Sequence, residues 1–392
     1  MEPTRRFESL RNLRFIPALA LLVLAMPASA GKLTQAPAPA VASRIQATTL
    51  VKGLEHPWSF RFLPDGRIVV TEKGGRMRLA DRNGQVSGVP AVVAVEQGGL
   101  LDVALAPDFA TSGQIYFTYS EPRGGRNSGT SVARAKLELE GGGGRLTALQ
   151  VIFRQKPDNP VPIHFGSRIA FAADGSLFVT LGERGTGRTL ETATREMAQN
   201  PANHFGKVVR INPDGSPHAS TPKRPGWAPE VWSLGHRNPQ SAAIHPVTGK
   251  LWTVEHGARG GDEVNIPEAG KNYGWPVISC GRDYSGTKIG VGTEKAGLEQ
   301  PVYYWDPSIA PSGMAFYTGN LFPAWKGNLF VGALNGVQLV RLVLDGEQVV
   351  AEEKLLNKDY DRFRDVREGP DGALYVMTDS PNARIIRITP AP

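Results

Sequence analysis

The hexapeptide GSLFVT, Gly175–Thr180, decides the fold because its pattern returns five more times along the chain. In every copy a glycine precedes a short run of apolar, β-branched or aromatic residues. The other copies are GRIVVT from Gly66, GQIYFT from Gly113, GKLWTV from Gly249, GNLFVG from Gly327 and GALYVM from Gly372. A turn glycine followed by such a run is typical of a hairpin that leads into a buried strand.

A second apolar stretch lies just before most of these glycines, so each copy predicts a strand, a turn and a second strand. The stretches are FRFLPD (60–65), VALAPD (103–108), IAFAAD (169–174) and AAIHP (242–246). Successive glycines are roughly 45 to 80 residues apart, which suits four-stranded propeller blades that carry loop insertions. We predict an all-β fold, a six-bladed β-propeller with four-stranded blades over residues 45–392. A pair of β-sandwiches is the alternative.

The first 44 residues are expected to lie outside this domain. Four arginines precede an apolar run at 15–26, and the small residues Ala28, Ser29 and Ala30 follow it, which predicts a signal peptide over residues 1–30. Residues 31–44 are rich in Ala and Pro and predict a disordered linker. The apolar run is too short for a comfortable membrane span, and no later stretch approaches one. We therefore expect a periplasmic or secreted protein with no integral membrane segment, either a monomer or a homodimer.

The composition excludes several classes of function. The 392 residues are 41% hydrophobic and 21% charged, as in an ordinary globular protein. The net charge of +7 is not gathered into a basic stripe, so no nucleic-acid partner is expected. The single cysteine, Cys280, excludes an intramolecular disulfide. The seven histidines form no HExxH motif and no GxSxG motif occurs, which argues against zinc and serine hydrolases.

Five polar clusters lie beside the predicted strands, and a propeller gathers such loops at one end of its channel. They are Glu96–Leu100, Ile163–Arg168, Gly235–Gln240, Glu255–Asn265 and Arg362–Asp365. Singly, each has a simpler explanation: His164 beside an aromatic suits a packed histidine, and Arg362 and Arg364 suit ion pairs. Together the clusters predict a cationic, donor-rich pocket for a polyanionic ligand, either phosphate or a multi-carboxylate cofactor.

The segment HGARGGDEVN (256–265) adds a candidate metal site. Asp262 and Glu263 offer hard oxygen ligands, and the neighbouring glycines leave backbone carbonyls free to coordinate. This donor set favours calcium over zinc. The alternative is that both acidic residues belong to a solvated loop.

These motifs together resemble the soluble pyrroloquinoline quinone (PQQ)-dependent sugar dehydrogenases, the family of aldose and glucose/sorbosone dehydrogenases. The resemblance runs in one order from GLEHPWSFRFLPDGRIVVTE through QGGLLDVALAPDF, HFGSRIAF, GHRNPQ and EHGARGGDEVNIPEAGKNYGWP to RFRDVREGPDGALYVMTD. It covers nearly all of the chain after the signal peptide. The resemblance implies a six-bladed propeller that uses PQQ and calcium to oxidise aldose sugars to lactones. The electrons then pass to an external acceptor.

The resemblance also assigns roles to individual residues. It implies that His164 is the general base that takes the proton of the anomeric hydroxyl, while hydride passes from that carbon to the quinone. Five further side chains are implied at the pocket: Arg237 and Asn238 at the reactive carbonyl region of the cofactor, Gln97 in the sugar and cofactor pocket, and Arg362 and Arg364 at the cofactor carboxylates. The carbonyls of Gly257 and Ala258 are implied to bind the catalytic calcium. A separate structural calcium site is matched by Glu263, the Tyr273 carbonyl and Asp283.

The sequence departs from the family pattern at two positions. Asn335 replaces the lysine that usually binds the cofactor; it keeps a donor without the charge, so weaker cofactor binding is expected. Ile163 stands where some glucose-oxidising members have an acid, so the resemblance does not extend to a preference for glucose. Tyr304 and Trp305 are expected to stack on the sugar ring.

Two other functions fit parts of the sequence. A propeller that serves as a non-catalytic binding or adaptor module is supported by Asn335. A calcium-dependent lactonase would need no redox cofactor, and it predicts metal-bound carboxylates in the channel, where this sequence instead concentrates arginines.

Overall fold

The fold is built almost entirely from β-strands, so the all-β prediction is confirmed. The computed structural model describes residues 35–80, 84–185 and 195–392, and the predicted signal peptide lies outside them. In these ranges the helical segments are a one-turn α-helix, α1 (Phe109–Ser112), 3-10 turns at Met197–Gln199 and Pro323–Trp325, and the two helical residues 195–196. None of the described helices has the length and apolar character needed to cross a membrane.

Twenty-four strands make up the described part of the chain. The first nine are β1 (Ile45–Leu54), β2 (Pro57–Phe62), β3 (Ile68–Glu72), β4 (Arg76–Leu79), β5 (Gly84–Ser87), β6 (Leu100–Leu105), β7 (Gln114–Pro122), β8 (Ser128–Glu140) and β9 (Gly143–Arg154). The next eight are β10 (Ile169–Phe171), β11 (Leu177–Leu181), β12 (Lys207–Ile211), β13 (Val231–Leu234), β14 (Pro239–Ile244), β15 (Leu251–Glu255), β16 (Asp262–Asn265) and β17 (Tyr303–Trp305). The last seven are β18 (Pro311–Phe316), β19 (Leu329–Ala333), β20 (Gln338–Asp345), β21 (Gln348–Leu355), β22 (Phe363–Glu368), β23 (Leu374–Thr378) and β24 (Ala383–Pro390).

From β2 onward the strands pair in antiparallel groups of four, taken in chain order. Three sheets are β10–β13, β14–β17 and β18–β21, and a fourth joins β22–β24 to β1. The remaining sheet has eight strands, because β2–β5 and β6–β9 meet through a parallel pairing of β5 with β9. The first strands of successive groups contact one another in the closed order β2, β6, β10, β14, β18, β22 and again β2. The prediction of four-stranded sheets is thus confirmed.

The six repeat glycines lie in the turns between the first and second strands of their groups. All have φ between 65° and 86°, the left-handed region that glycine enters without steric cost. The run after each glycine forms a second strand, as Leu177–Leu181 does in β11, where every residue is buried. Apolar side chains from adjacent groups pack together, for example Trp252 of β15 with Met314 of β18. The repeated pattern therefore marks the turn that leads into the buried second strand of each group.

The two ends of the described chain share one sheet. β1 pairs antiparallel with β24, and Ile45 lies opposite Pro390. β24 in turn pairs with β23, so the sheet combines the first strand with the last three.

Residues 35–44, which we call the strap, differ from the predicted disordered linker. They form no helix or strand, but they are bound to the sheets. Ser43 Oγ donates a 2.6 Å hydrogen bond to Glu353 Oε2, and Ala36 N donates to the Tyr303 hydroxyl at 2.9 Å. The prolines of the strap lack the backbone N–H that a paired strand needs, yet its polar groups find partners on two sheets.

Candidate active site

A cavity of about 570 Å³ lies where the first strands begin and the second strands end. These positions meet because the two strands form a hairpin. One part of the lining comes from the first strands or the residues before them: Trp58, Gln97, Leu101, Phe165, Gly166, Gln240, Ala310 and Arg364. The other part comes from the residues after the second strands: Lys73, His256, Leu334, Asn335 and Asp379. Every strand group contributes, and so does each of the five polar clusters predicted to converge.

One wall of the cavity is cationic. Arg362 and Arg364, two residues apart, both line it, as expected. They share Asp379, whose Oδ2 lies 2.8 Å from Arg364 Nη2 and 3.5 Å from Arg362 Nη2. Lys73, which the sequence analysis did not identify, faces the same space and donates to the Glu96 carbonyl at 3.0 Å. Burial, together with repulsion from the two arginines, lowers the pKa of Lys73.

Gln97 and Asn335 also line the cavity, but each already holds a neighbouring segment. Gln97 Oε1 accepts a 2.9 Å hydrogen bond from the backbone N–H of His164. Asn335 Nδ2 donates to the Ser308 carbonyl at 2.9 Å. The amide at position 335 therefore adds no charge to the cavity, and one of its donor positions is already used.

His164 lies beside the cavity, between its lining residues and a buried carboxylate. The histidine is 6% exposed, and its Nδ1 is 2.7 Å from Glu183 Oε2. Within the described residues its Nε2 makes no hydrogen bond, so this nitrogen is available as a proton acceptor. Burial is the main cause that lowers the pKa of His164, and the positive charges of Arg237 and Arg184 act in the same direction. The imidazole is therefore held in the neutral form that a general base requires.

Glu183 is a functional candidate that the sequence analysis missed. It is completely buried two residues beyond β11, and its Oε2 also accepts from the Gly185 backbone N–H at 3.2 Å. A carboxylate on Nδ1 fixes the tautomer and orientation of an imidazole whose Nε2 acts on substrate. The available indication was a charged residue, in LGERG, two residues after a strand that is apolar except for Thr180.

The segment GHRNPQ is anchored by the carboxylate of Glu255 at the end of β15. Glu255 Oε1 lies 2.9 Å from His236 Nδ1, and its Oε2 accepts from the Arg237 backbone N–H at 2.7 Å. The Arg237 guanidinium donates to the carbonyls of His256 and Gly257. Its side chain lines the small void beside the candidate calcium segment and is not among the residues that line the cavity.

Asn238 connects three parts of the site. Its Oδ1 accepts from the Gly166 backbone N–H and from Gln240 Nε2, both at 3.2 Å. Its Nδ2, together with Nε of Arg237 and of Arg364, is buried without a hydrogen-bond partner in the described part of the chain. Buried donors without partners are costly. Arg364 lines the cavity, where its free donor suits an acceptor-rich ligand, whereas Arg237 and Asn238 are not among the lining residues.

The candidate calcium ligands are only partly brought together. Gly257, Glu263 and Tyr273 line one small void, and Ala258 is buried beside Trp275. The Gly257 carbonyl already accepts a hydrogen bond from Arg237. Across the described residues, the His, Cys, Asp and Glu side chains form no group of three or more that could hold a metal ion. Backbone carbonyls would have to supply most of the ligands for any cation here.

Two acidic residues have roles other than those expected. Asp283 is not among the residues that line the void; its Oδ2 forms a 2.9 Å ion pair with Arg195. Asp262 is fully buried and accepts four hydrogen bonds, one of them from the Gly257 backbone N–H at 2.8 Å. Asp262 is therefore a structural link between loops, because its oxygens already serve protein donors.

The expected stacking of Tyr304 and Trp305 on a sugar is not supported. Both lie on β17, the outermost strand of its sheet, and neither lines the cavity. Trp305 is buried and its Nε1 donates to Glu352 at 3.0 Å. The aromatic rings at the cavity are instead Trp58, which lies 4.4 Å from the Arg168 guanidinium, and Phe165.

The family model for glucose/sorbosone dehydrogenase matches residues 54–387, and the chain belongs to this family. The resemblance found in the sequence is thereby confirmed. The matched range includes all the candidate residues described above.

Individual relatives agree with the family match. The chain is 41% identical over 360 residues to the aldose sugar dehydrogenase YliI of Escherichia coli, covering 90% of this chain and 94% of that protein. The crystal structure of the soluble aldose sugar dehydrogenase from Escherichia coli in its apo form is 42% identical, with a TM-score of 0.83, and the match covers 88% of this chain and 100% of that chain. The PQQ-bound aldose sugar dehydrogenase from Streptomyces coelicolor is 27% identical with a TM-score of 0.73, covering 89% and 99%.

Proposed function

We propose that this protein is an aldose sugar dehydrogenase that uses PQQ and calcium and oxidises its substrate at the anomeric carbon. The observation that carries the proposal is the pair of His164 and Glu183 beside a cavity with a cationic wall. The proposal is supported by the sugar dehydrogenase names of its relatives, one of which is a PQQ-bound form.

The residues of the cavity fit a multi-carboxylate cofactor. A volume of about 570 Å³ is within the usual range for a small-molecule site. Arg362, Arg364 and Lys73 would hold the carboxylates. Arg237 and the Nδ2 of Asn238, which has no partner, would hold the reactive carbonyl region. When bound, PQQ supplies the quinone that accepts the two electrons of the sugar.

Residues of the protein accept the proton that the substrate releases. His164 Nε2 takes the proton of the anomeric hydroxyl, and the imidazolium that forms is stabilised by Glu183 on Nδ1. Glu183 also prevents the ring from turning. The low exposure of His164 limits competing protonation from solvent, because burial disfavours the charged imidazolium before substrate binds.

Calcium is part of the proposal with a reduced set of ligands. The carbonyls of Gly257 and Ala258 would bind the catalytic ion, and Glu263 with the Tyr273 carbonyl would bind the structural one. Asp283 does not fit the second set while its carboxylate pairs with Arg195.

We also propose that the strand groups are the blades of a six-bladed propeller formed by residues 45–392. The closed order of contacts among the first strands supports this arrangement, as does a cavity that every group lines. The parallel pairing of β5 with β9 then joins the outer edges of two neighbouring blades. We propose further that residues 1–30 direct export to the periplasm, where the enzyme acts as a monomer or homodimer with an external electron acceptor.

The test is to prepare the protein without cofactor, add PQQ and calcium, and follow dye reduction with a panel of aldoses. Activity should require PQQ, decline with a calcium chelator and fall by orders of magnitude in His164→Gln. His204→Gln is the matched control, because His204 is also buried beside a carboxylate, Glu230, but lies outside the cavity. Absence of PQQ binding would contradict the proposal and favour the adaptor or lactonase alternatives.

A further inference from the structure

Arg184 follows Glu183 in the chain and is one of the largest completely buried side chains. Among the described residues it forms no ion pair, and burial lowers its pKa to about 9. Burial of an unpaired cation is expensive, so its hydrogen bonds must offset a considerable cost. The cofactor pocket does not use this group, because Arg184 does not line the cavity.

The guanidinium of Arg184 binds the backbone just before His164. Its Nε donates to the Ile163 carbonyl at 3.1 Å, and its Nη2 donates to the Val161 carbonyl at 2.5 Å. Its Nη1 donates to the Ser128 carbonyl, at the start of β8, at 3.1 Å. The planar, forked head therefore ties the segment that carries His164 to a neighbouring sheet.

Arg184 also contacts the residue on the other side of His164. Its guanidinium lies over the ring of Phe165, 3.8 Å from the ring centre, and Phe165 lines the cavity. A cation this close to an aromatic face is attracted to it, most strongly where water is excluded. One buried side chain thus holds both neighbours of His164.

The backbone at His164 needs such support. Its φ is 53°, in the left-handed region that residues other than glycine seldom occupy, and Arg184 itself has a φ of 55°. A conformation of this kind costs roughly 1 kcal/mol or more and persists only where surrounding contacts enforce it. The hydrogen bonds of Arg184 to residues 161 and 163 are such contacts.

We propose that Arg184 is a positioning residue that holds the backbone on both sides of His164 and so directs its imidazole toward the cavity. Its charge has a second effect, because a nearby cation opposes protonation of the imidazole. Arg237 opposes protonation as well, Glu183 favours it, and burial is the main cause of the lowered pKa of His164. His256 is the other titratable residue nearby, and the charge of His164 contributes to the lowered pKa of His256.

The catalytic part of this inference depends on the proposed function, but its first test does not. Two-dimensional NMR of labelled histidine rings in the cofactor-free protein follows the titration of His164, assigned with His164→Gln. Arg184→Met should raise the pKa of His164 by about 0.5 to 1 unit, because one cation is removed. Arg184→Lys keeps the charge and should leave this pKa near the wild-type value.

The second test is kinetic and separates position from charge. A lysine head cannot bind the three carbonyls, so Arg184→Lys should lower kcat by about 10- to 100-fold with little change in KM. Arg341→Met is the control, because Arg341 is buried against Trp325 and Glu353 away from the cavity; it should change neither kcat nor the His164 titration.

The outcomes distinguish this inference from the proposed function. If the wild-type protein oxidises no sugar, the proposed function fails, and the NMR titration still decides the role of Arg184. An unchanged His164 titration in Arg184→Met would overturn the electrostatic effect, and an unchanged kcat in Arg184→Lys would overturn the positioning role. If Arg184→Met does not fold, Arg184→Lys alone decides the positioning role. An unchanged chemical shift of the His164 ring overturns this role, and a changed chemical shift with a near-wild-type pKa supports it.

Discussion

Replacement of Asp262 by asparagine should destabilise the protein and loosen two loops of the candidate site together. The carboxylate is fully buried, and its Oδ2 accepts from Ser308 Oγ at 2.7 Å and from the backbone N–H groups of Ile309 and Ala310, both at 2.8 Å. Its Oδ1 accepts from the Gly257 backbone N–H. In Asp262→Asn the carbonyl oxygen of the amide takes the position of Oδ2, which serves three donors. The NH2 group then replaces Oδ1 and faces the Gly257 backbone N–H, which loses its acceptor.

The expected loss of stability follows from the number of buried donors that are left without an acceptor. The new NH2 group and the Gly257 backbone N–H are then two donors that face each other without an acceptor, and each buried unpaired donor costs roughly 1 to 3 kcal/mol. We expect a loss of about 4 kcal/mol in the free energy of unfolding. At roughly 2.1 cal/mol/K per residue over about 350 residues, this loss lowers Tm by about 5 °C.

Differential scanning calorimetry at neutral pH measures this shift. Asp214→Asn is the control, because Asp214 is exposed and caps a turn through Ser216, so its Tm should stay within about 1 °C of wild type. Since Gly257 and Ala310 border the two candidate pockets, dye reduction should fall in Asp262→Asn as well. A Tm for Asp262→Asn equal to that of the control would refute the reasoning.

Three further predictions concern the proton acceptor, the cationic wall and the strap. Because the pKa of His164 lies below its ordinary value of 6.5, kcat/KM should hold down to about pH 6.5 and fall only at lower pH; an acid limb centred above 6.5 would contradict this. Arg364→Gln should weaken PQQ binding about 10-fold and reduce its salt dependence in an absorbance titration, whereas equal affinity would exclude a carboxylate contact. Ser43→Ala removes the hydrogen bond that the hydroxyl donates to Glu353 and the one that it accepts from Trp325. The free energy of unfolding should fall by about 1 to 2 kcal/mol, and proteolysis within residues 35–44 should become faster. Unchanged cleavage would show that other contacts hold the strap.

Much of the fold was accessible from the sequence because one local pattern recurs. The turn glycines and the runs after them gave the second strands, since φ and burial are local demands that a short sequence can express. Outer strands were harder to place. β8 and β9 form a long hairpin with partly exposed faces, and no repeated pattern marks it.

The candidate site was predictable where a motif carried several polar residues and less so where one residue acts through tertiary contacts. Arg362 and Arg364 share a cavity wall, as expected from their spacing. Glu183 escaped notice because a lone acid after a strand has no local signature, and its meaning depends on His164. Trp305 was misplaced, since its position on an outer strand depends on the pairing of β16 with β17.

The pairing of β1 with β24 has a consequence for how the chain is made. β1 leaves the ribosome roughly 330 residues before its partner β24. At roughly 5 to 20 residues per second, β1 waits on the order of 20 to 70 s for its neighbour. This sheet is therefore completed only once β24 has been made, and until then β1 has no strand to pair with.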